Sequence, residues 1–119
     1  MNELIEQIKA WGIARNITGP NGKGTLLGQL SKTAEELTET RDAAIWIDAV
    51  ERITGQASSS EIVALMDGIG DCTVTLILAA EMAGLDFQEC LQAAYDEIKG
   101  RTGRMENGIF VKDTFPPIE

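Results

Sequence analysis

The chain has 119 residues with 10 Lys and Arg against 19 Asp and Glu, a net charge of -9 and a pI near 4.4. That balance excludes an extended nucleic-acid backbone as ligand, because a polyanion is repelled, but not a small phosphorylated ligand held through a cation and a few placed basic residues. The length suits a single domain over residues 1–119 that folds without disulfides. With no His in the chain, Cys72 and Cys90 lack the partners for a zinc site or a Cys-His nucleophile, and they read as buried reduced thiols.

Leu4, Ile5, Ile8 and Trp11 recur at helical spacing and predict a first amphipathic helix over residues 2–15, ended by the GPNGKG stretch at 19–24. That stretch lacks the first glycine and the preceding strand of a phosphate-binding P-loop, and it reads as a turn between helices. A second helix is expected from near Thr25, with Leu26, Leu27, Leu30, Ala34 and Leu37 on its inward face, continuing or restarting over residues 43–53. Gly55 is placed to stop it, and Ser58 with Glu61 has the spacing of a capping box for the next helix.

Residues 62–83 are apolar on nearly every side, which predicts a central helix packed all round and interrupted at Gly68 and Gly70. Asp86 and Glu89 have capping spacing for a last helix striped by Leu91, Ala94, Tyr95 and Ile98 and closed by Gly100. Asn107-Gly108 before Ile109, Phe110 and Val111 signals a turn with a small extended or hairpin element. Trp11, Trp46, Tyr95 and Phe110 read as core residues by default, with Trp11 also the first candidate to stack on a base. The fold class is all-α, a four- to five-helix bundle with a short extended C-terminal tail. The acidic N-terminus does not read as a signal peptide, and the longest apolar run, residues 72–80, is too short to span a bilayer. A cytoplasmic protein with no membrane partner is expected.

Two acidic pairs stand out against this background. Glu36 and Glu39 project about 60° apart on a helix, and Asp67 and Asp71 about 40° apart, so each pair can aim at one point. Val74 and Leu78 share the face of Asp67 and Asp71, which directs those acids toward the core. Converging carboxylates repel one another and lose hydration, and a hard divalent cation relieves both costs, so Glu36, Glu39, Asp67 and Asp71 are candidate ligands for magnesium or manganese. The spacing is not that of a calcium-binding EF-hand loop. Magnesium bound by a few carboxylates pairs naturally with substrate phosphates, which points to hydrolysis at phosphorus.

The run Lys32-Thr33-Ala34-Glu35-Glu36-Leu37-Thr38-Glu39, then Asp67-Gly68-Ile69-Gly70-Asp71, resembles the MazG-like all-α nucleoside triphosphate pyrophosphohydrolases. Glu97-Ile98-Lys99-Gly100-Arg101-Thr102-Gly103-Arg104-Met105, followed by Asn107-Gly108-Ile109-Phe110-Val111-Lys112, is similar to the closing segment of small proteins of that type. The family's second motif usually reads Glu-x-x-Asp, which would put an acid at position 68. Gly68 stands there, and Asp67 is the substitute. The resemblance implies a magnesium-dependent hydrolase of nucleotide metabolism that converts a (deoxy)nucleoside triphosphate to the monophosphate and pyrophosphate. Glu35 or Glu39 would position or deprotonate the attacking water. Lys32, Lys99 and Arg101 would bind substrate phosphates, with Trp11 as the base-stacking candidate. It further implies a homodimer or dimer of dimers. The alternatives are a non-catalytic acidic helical interaction module and a nucleotide-binding regulator without turnover.

Overall fold

A computed structural model describes residues 2–113, which are mostly helical: α1 (Asn2–Ala14), α2 (Leu26–Thr54), α3 (Ser59–Met82), α4 (Phe87–Ile98), β1 (Gly103–Glu106) and β2 (Ile109–Lys112). The chain divides into two compact units, one ending at Phe87 and one beginning at Gln88. The first holds α1, α2 and α3. The second holds nearly all of α4 and the hairpin.

The helix ends follow local chemistry. Thr25 is extended (φ -117°, ψ 152°), and its hydroxyl accepts the Gly28 N–H at 3.0 Å, a side-chain cap that starts α2. α2 then runs unbroken for 29 residues, so of the two expected courses, continuation or restart, the helix continues. Gly55 ends it in the left-handed region (φ 80°) with its N–H on the Glu51 carbonyl. Ser58 stands at the N-cap of α3, yet its side chain makes no cap bond. It meets the Ser60 hydroxyl at 2.9 Å, and Ser60 donates to Glu61 at 2.8 Å, so the expected capping box is replaced by a hydroxyl relay. These hydroxyls, Ser58 first and Ser60 second, hold the Glu61 carboxyl below its usual 4.5.

α3 is continuous through Gly68 and Gly70, against the predicted interruption. A glycine in a helix interior costs only about 1 kcal/mol, and the contact with α2 outweighs it. The two long helices run antiparallel. Thr33 Oγ1 donates to Thr75 Oγ1 at 2.8 Å, while Thr40 Oγ1 lies 3.7 Å from Cys72 Sγ. The contact stripe on α2 is Gln29, Thr33, Glu36, Thr40, Ala43, Ile47 and Val50, all partly buried at four- and three-residue steps. This overturns the inward face expected from the leucines: Leu27 is 79% and Leu37 58% exposed. The α3 stripe of Gly68, Cys72, Thr75 and Ala79 is made of small side chains, which let the backbones approach; a β-carbon at Gly68 would run into Thr40 Oγ1.

The core of this unit lies at the C-terminal half of α3. Ile77, Leu78, Ala79 and Ala80 are buried with Ile5 of α1, and Lys9 of α1 ties to Glu81 of α3 at 3.6 Å. The N-terminal half of α3 is not packed all round as expected, since Ile62, Val63, Met66 and Ile69 are exposed. Trp11, Trp46, Tyr95 and Phe110 are likewise exposed, which corrects their reading as core. Cys72 is partly buried, but Cys90 is exposed; both are free thiols. By length and composition α3 as a whole would reach across a bilayer, unlike the shorter run of residues 72–80 inside it. A core helix of a helical protein has the same properties, and Asp67 and Asp71 interrupt the apolar surface of this one.

In the second unit, α4 is an amphipathic helix with no buried residue, and its stripe of Leu91, Tyr95 and Ile98 is exposed. β1 and β2 form the antiparallel hairpin signalled by the sequence, with Arg104 opposite Val111 and Met105 opposite Phe110. Asn107 (φ 50°) and Gly108 (φ 79°) supply its turn.

Candidate functional site

The antiparallel α2–α3 pair is what brings the two acidic pairs together. Glu36 stands on α2 between the Thr33–Thr75 and Thr40–Cys72 contacts, and Asp71 directly precedes Cys72 on α3. Glu36, Glu39, Asp67 and Asp71, with Ala64 and Gly68, line one cavity of about 280 Å³. All four carboxylate residues singled out by spacing therefore share a wall. Their exposure differs from expectation: Glu39, Asp67 and Asp71 are exposed rather than core-facing, while the Glu36 side chain is only 15% exposed.

Gly68 explains the offset of the α3 acids. Any side chain at that position meets Thr40, whose hydroxyl is itself bonded to the Glu36 carbonyl at 2.7 Å. A carboxylate there would force the helices apart. One residue earlier, Asp67 reaches the cavity without crossing the contact.

Two further cavities meet this one at Asp71. The first, of about 330 Å³, is lined by Trp11 of α1, Gln29, Lys32 and Glu36 of α2, and Asp71 and Val74 of α3 among others. The second, of about 440 Å³ and mostly apolar, lies between α1 and α3, with Ile5, Ile8, Met66, Val74 and Phe87 beside Asp67 and Asp71. Asp71 lines all three, and Glu36 is shared between the acidic cavity and the one holding Trp11 and Lys32.

Lys32 is the local counter-charge. Its ammonium lies 3.3 Å from Glu35 Oε1 and 3.4 Å from Glu36 Oε1, and the bonds to Glu35 and then Glu36 raise it above its usual 10.5. Glu35 is well exposed and lines neither the acidic cavity nor the Trp11 cavity. Trp11, 45% exposed, carries the Arg15 guanidinium 5.5 Å from its ring centre. In the second unit, Lys99 pairs with Asp96 at 3.2 Å and Arg101 with Glu97 at 3.1 Å. The structure thus gathers Trp11, Lys32, Glu36, Glu39, Asp67 and Asp71 around adjoining cavities, with Glu35 on their edge.

Chemically, four carboxylates on one cavity are the donor set a hard cation takes, and the residues fit such an ion by type and by the elements that carry them. Among the described residues, no three acidic, His or Cys side chains lie close enough together to hold one ion as they stand, with Glu36 directed to Lys32 instead.

Gln29, Thr33 and Thr40 were not among the residues singled out from the sequence. Their signal was present: with Glu36 they recur at alternating four- and three-residue steps, the period of a helix seam. The neighbouring leucines, with a similar period and higher hydrophobicity, obscured it.

Comparison with protein-family models, curated proteins and solved structures finds no match.

Proposed function

We propose that this chain is a magnesium-dependent nucleotide pyrophosphohydrolase of the MazG-like type, cleaving a (deoxy)nucleoside triphosphate to the monophosphate and pyrophosphate. The observation that carries the reading is the shared wall of Glu36, Glu39, Asp67 and Asp71, adjoining a cavity that offers an aromatic ring and an ammonium group.

In this reading the four carboxylates hold magnesium or manganese, which when bound polarises the phosphate and lowers the pKa of water. Lys32 neutralises phosphate oxygens in the adjoining cavity, and Trp11 offers its face to the base. Glu39 is the better placed of the two candidate bases: it lines the acidic cavity, while Glu35 is held by Lys32 outside it. Lys99 and Arg101 remain proposed phosphate ligands on the strength of the sequence resemblance alone. The exposed apolar residues of α2 and α3, including Leu37, Trp46, Ile62 and Met66, support association into a homodimer or dimer of dimers. A cytoplasmic location, with no nucleic-acid polymer or membrane as partner, completes the proposal.

Purified protein with magnesium is expected to release pyrophosphate from at least one member of a panel of canonical and modified triphosphates. Orthophosphate as sole product rejects the reaction. The same exposed apolar surface favours a second reading, a non-catalytic interaction module, for which magnesium would leave the melting temperature unchanged. Tight binding of intact triphosphate without product would instead identify a nucleotide-binding regulator.

A further inference from the structure

Among the described acids that form ion pairs, Glu36 has the least exposed side chain. Its side chain is 15% exposed, and a carboxylate withdrawn that far from water requires a positive partner. Lys32, one turn earlier on α2, supplies it at 3.4 Å, and Glu35 shares the same ammonium at 3.3 Å. Glu36 faces both the acidic cavity and the cavity containing Trp11, whereas Lys32 lines only the latter. A divalent cation drawn to Glu36 therefore meets an ammonium already on that carboxylate, and the two cations repel. Lys32 is half exposed and so free to move, and the cavity it lines is the one assigned above to the substrate.

We propose that Lys32 is an exchangeable counter-ion: it occupies Glu36 until a divalent cation takes that carboxylate, and its ammonium then transfers to the phosphate chain arriving with the cation. The inference rests on the reading of these cavities as a cation and phosphate site. Glu35 acts as the tether, keeping the ammonium within reach once Glu36 is taken. Lys32 consequently opposes binding of the cation alone and favours binding of cation and phosphate together, which is opposite to the behaviour of a lysine that merely stabilises its helix. No bond is made or broken; the exchange moves only charge.

The test measures Mn2+ binding by the loss of the free-ion spin-resonance signal, and inorganic triphosphate binding by calorimetry in the presence of Mn2+. Lys32→Met should bind Mn2+ alone about two- to fivefold more tightly than the native chain, the range expected from removing one competing ion pair. The same variant should bind triphosphate more weakly, while Lys32→Arg retains both native affinities to within about twofold. Lys32→Gln, which keeps a polar side chain without the charge, should behave as Lys32→Met does. If the native chain takes up no Mn2+, the cation-site reading falls and the exchange with it. If the native chain binds Mn2+ but Lys32→Met and Lys32→Gln bind it no more tightly, the exchange alone is overturned.

Discussion

Thr40 and Gly68 meet where α2 packs on α3: a β-carbon at position 68 would collide with the Thr40 hydroxyl, which is itself anchored on the Glu36 carbonyl at 2.7 Å. The contact sets the spacing of the two helices at the level of the acidic cavity, so packing and site geometry are coupled through it.

Gly68→Ala should therefore destabilise the fold by about 1–3 kcal/mol, the usual cost of overpacking, despite the better helix propensity of alanine. Thermal unfolding of Gly68→Ala, Thr40→Ala and the double variant checks the cause. Most of the loss should be recovered when Thr40 is also shortened, because Oγ1, the nearest atom in the clash, and Cγ2 are then gone. Equal destabilisation by Gly68→Ala in both backgrounds would show that the contact is not its source.

Asp71 lines all three cavities, and Glu39 faces the acidic one from the opposite helix. Magnesium should raise the melting temperature of the native chain, by an amount equivalent to about 2.7 kcal/mol at a concentration 100 times the dissociation constant. Asp71→Asn should remove most of that response while leaving the magnesium-free melting temperature within a few degrees of native. In the pyrophosphate-release assay, Glu39→Gln should lower kcat by about 10²–10⁴, the range for loss of a general base. An unchanged magnesium response in Asp71→Asn would remove Asp71 from the ligand set.

The helices were legible in the sequence because their ends carry local chemistry: Thr25 as a cap, Gly55 in the left-handed region, Asn107 and Gly108 in the hairpin turn. The acids were legible by spacing, since a helix fixes which residues share a face. What was hidden is which face of α2 meets α3. Leu26, Leu30 and Leu37 announce a hydrophobic stripe, but a seam of hydroxyl and small residues permits closer approach, and Gln29, Thr33, Glu36 and Thr40 were turned inward instead. That choice leaves the leucines outside, where apolar area of this kind calls for a covering surface. It also leaves the Glu36 side chain only 15% exposed while Asp67 and Asp71 are exposed, against the expectation from Val74 and Leu78 that those two aspartates face the core.

Lys9 joins α1 to α3 through Glu81 at 3.6 Å and bonds Glu6 at 3.2 Å, and these partners, Glu6 first and Glu81 next, raise it above 10.5. A raised cationic group contributes stability that is fully present below its unfolded value and is lost as pH rises through the folded one. The native chain should therefore lose stability relative to Lys9→Met as pH rises above about 10.5, with the difference constant across the neutral range. Melting temperatures of both proteins across that interval provide the check, taking the difference between them so that tyrosine and other lysines cancel. A difference that does not change across the interval would show that Lys9 is held no more firmly in the folded chain than in the unfolded one.

Trp11 is the last residue whose role separates base recognition from phosphate chemistry. Its ring lines the cavity that also holds Lys32, Glu36 and Asp71, so a base stacked on it would leave the phosphates beside the carboxylates. Base–aromatic stacking contributes about 1–3 kcal/mol, so Trp11→Ala should raise KM for a nucleoside triphosphate by about 5- to 150-fold. The same variant should bind inorganic triphosphate as the native chain does, because that ligand has no base to stack. Equal weakening of both ligands by Trp11→Ala would show that Trp11 shapes the cavity rather than reading the base, and would move base recognition to the apolar cavity between α1 and α3.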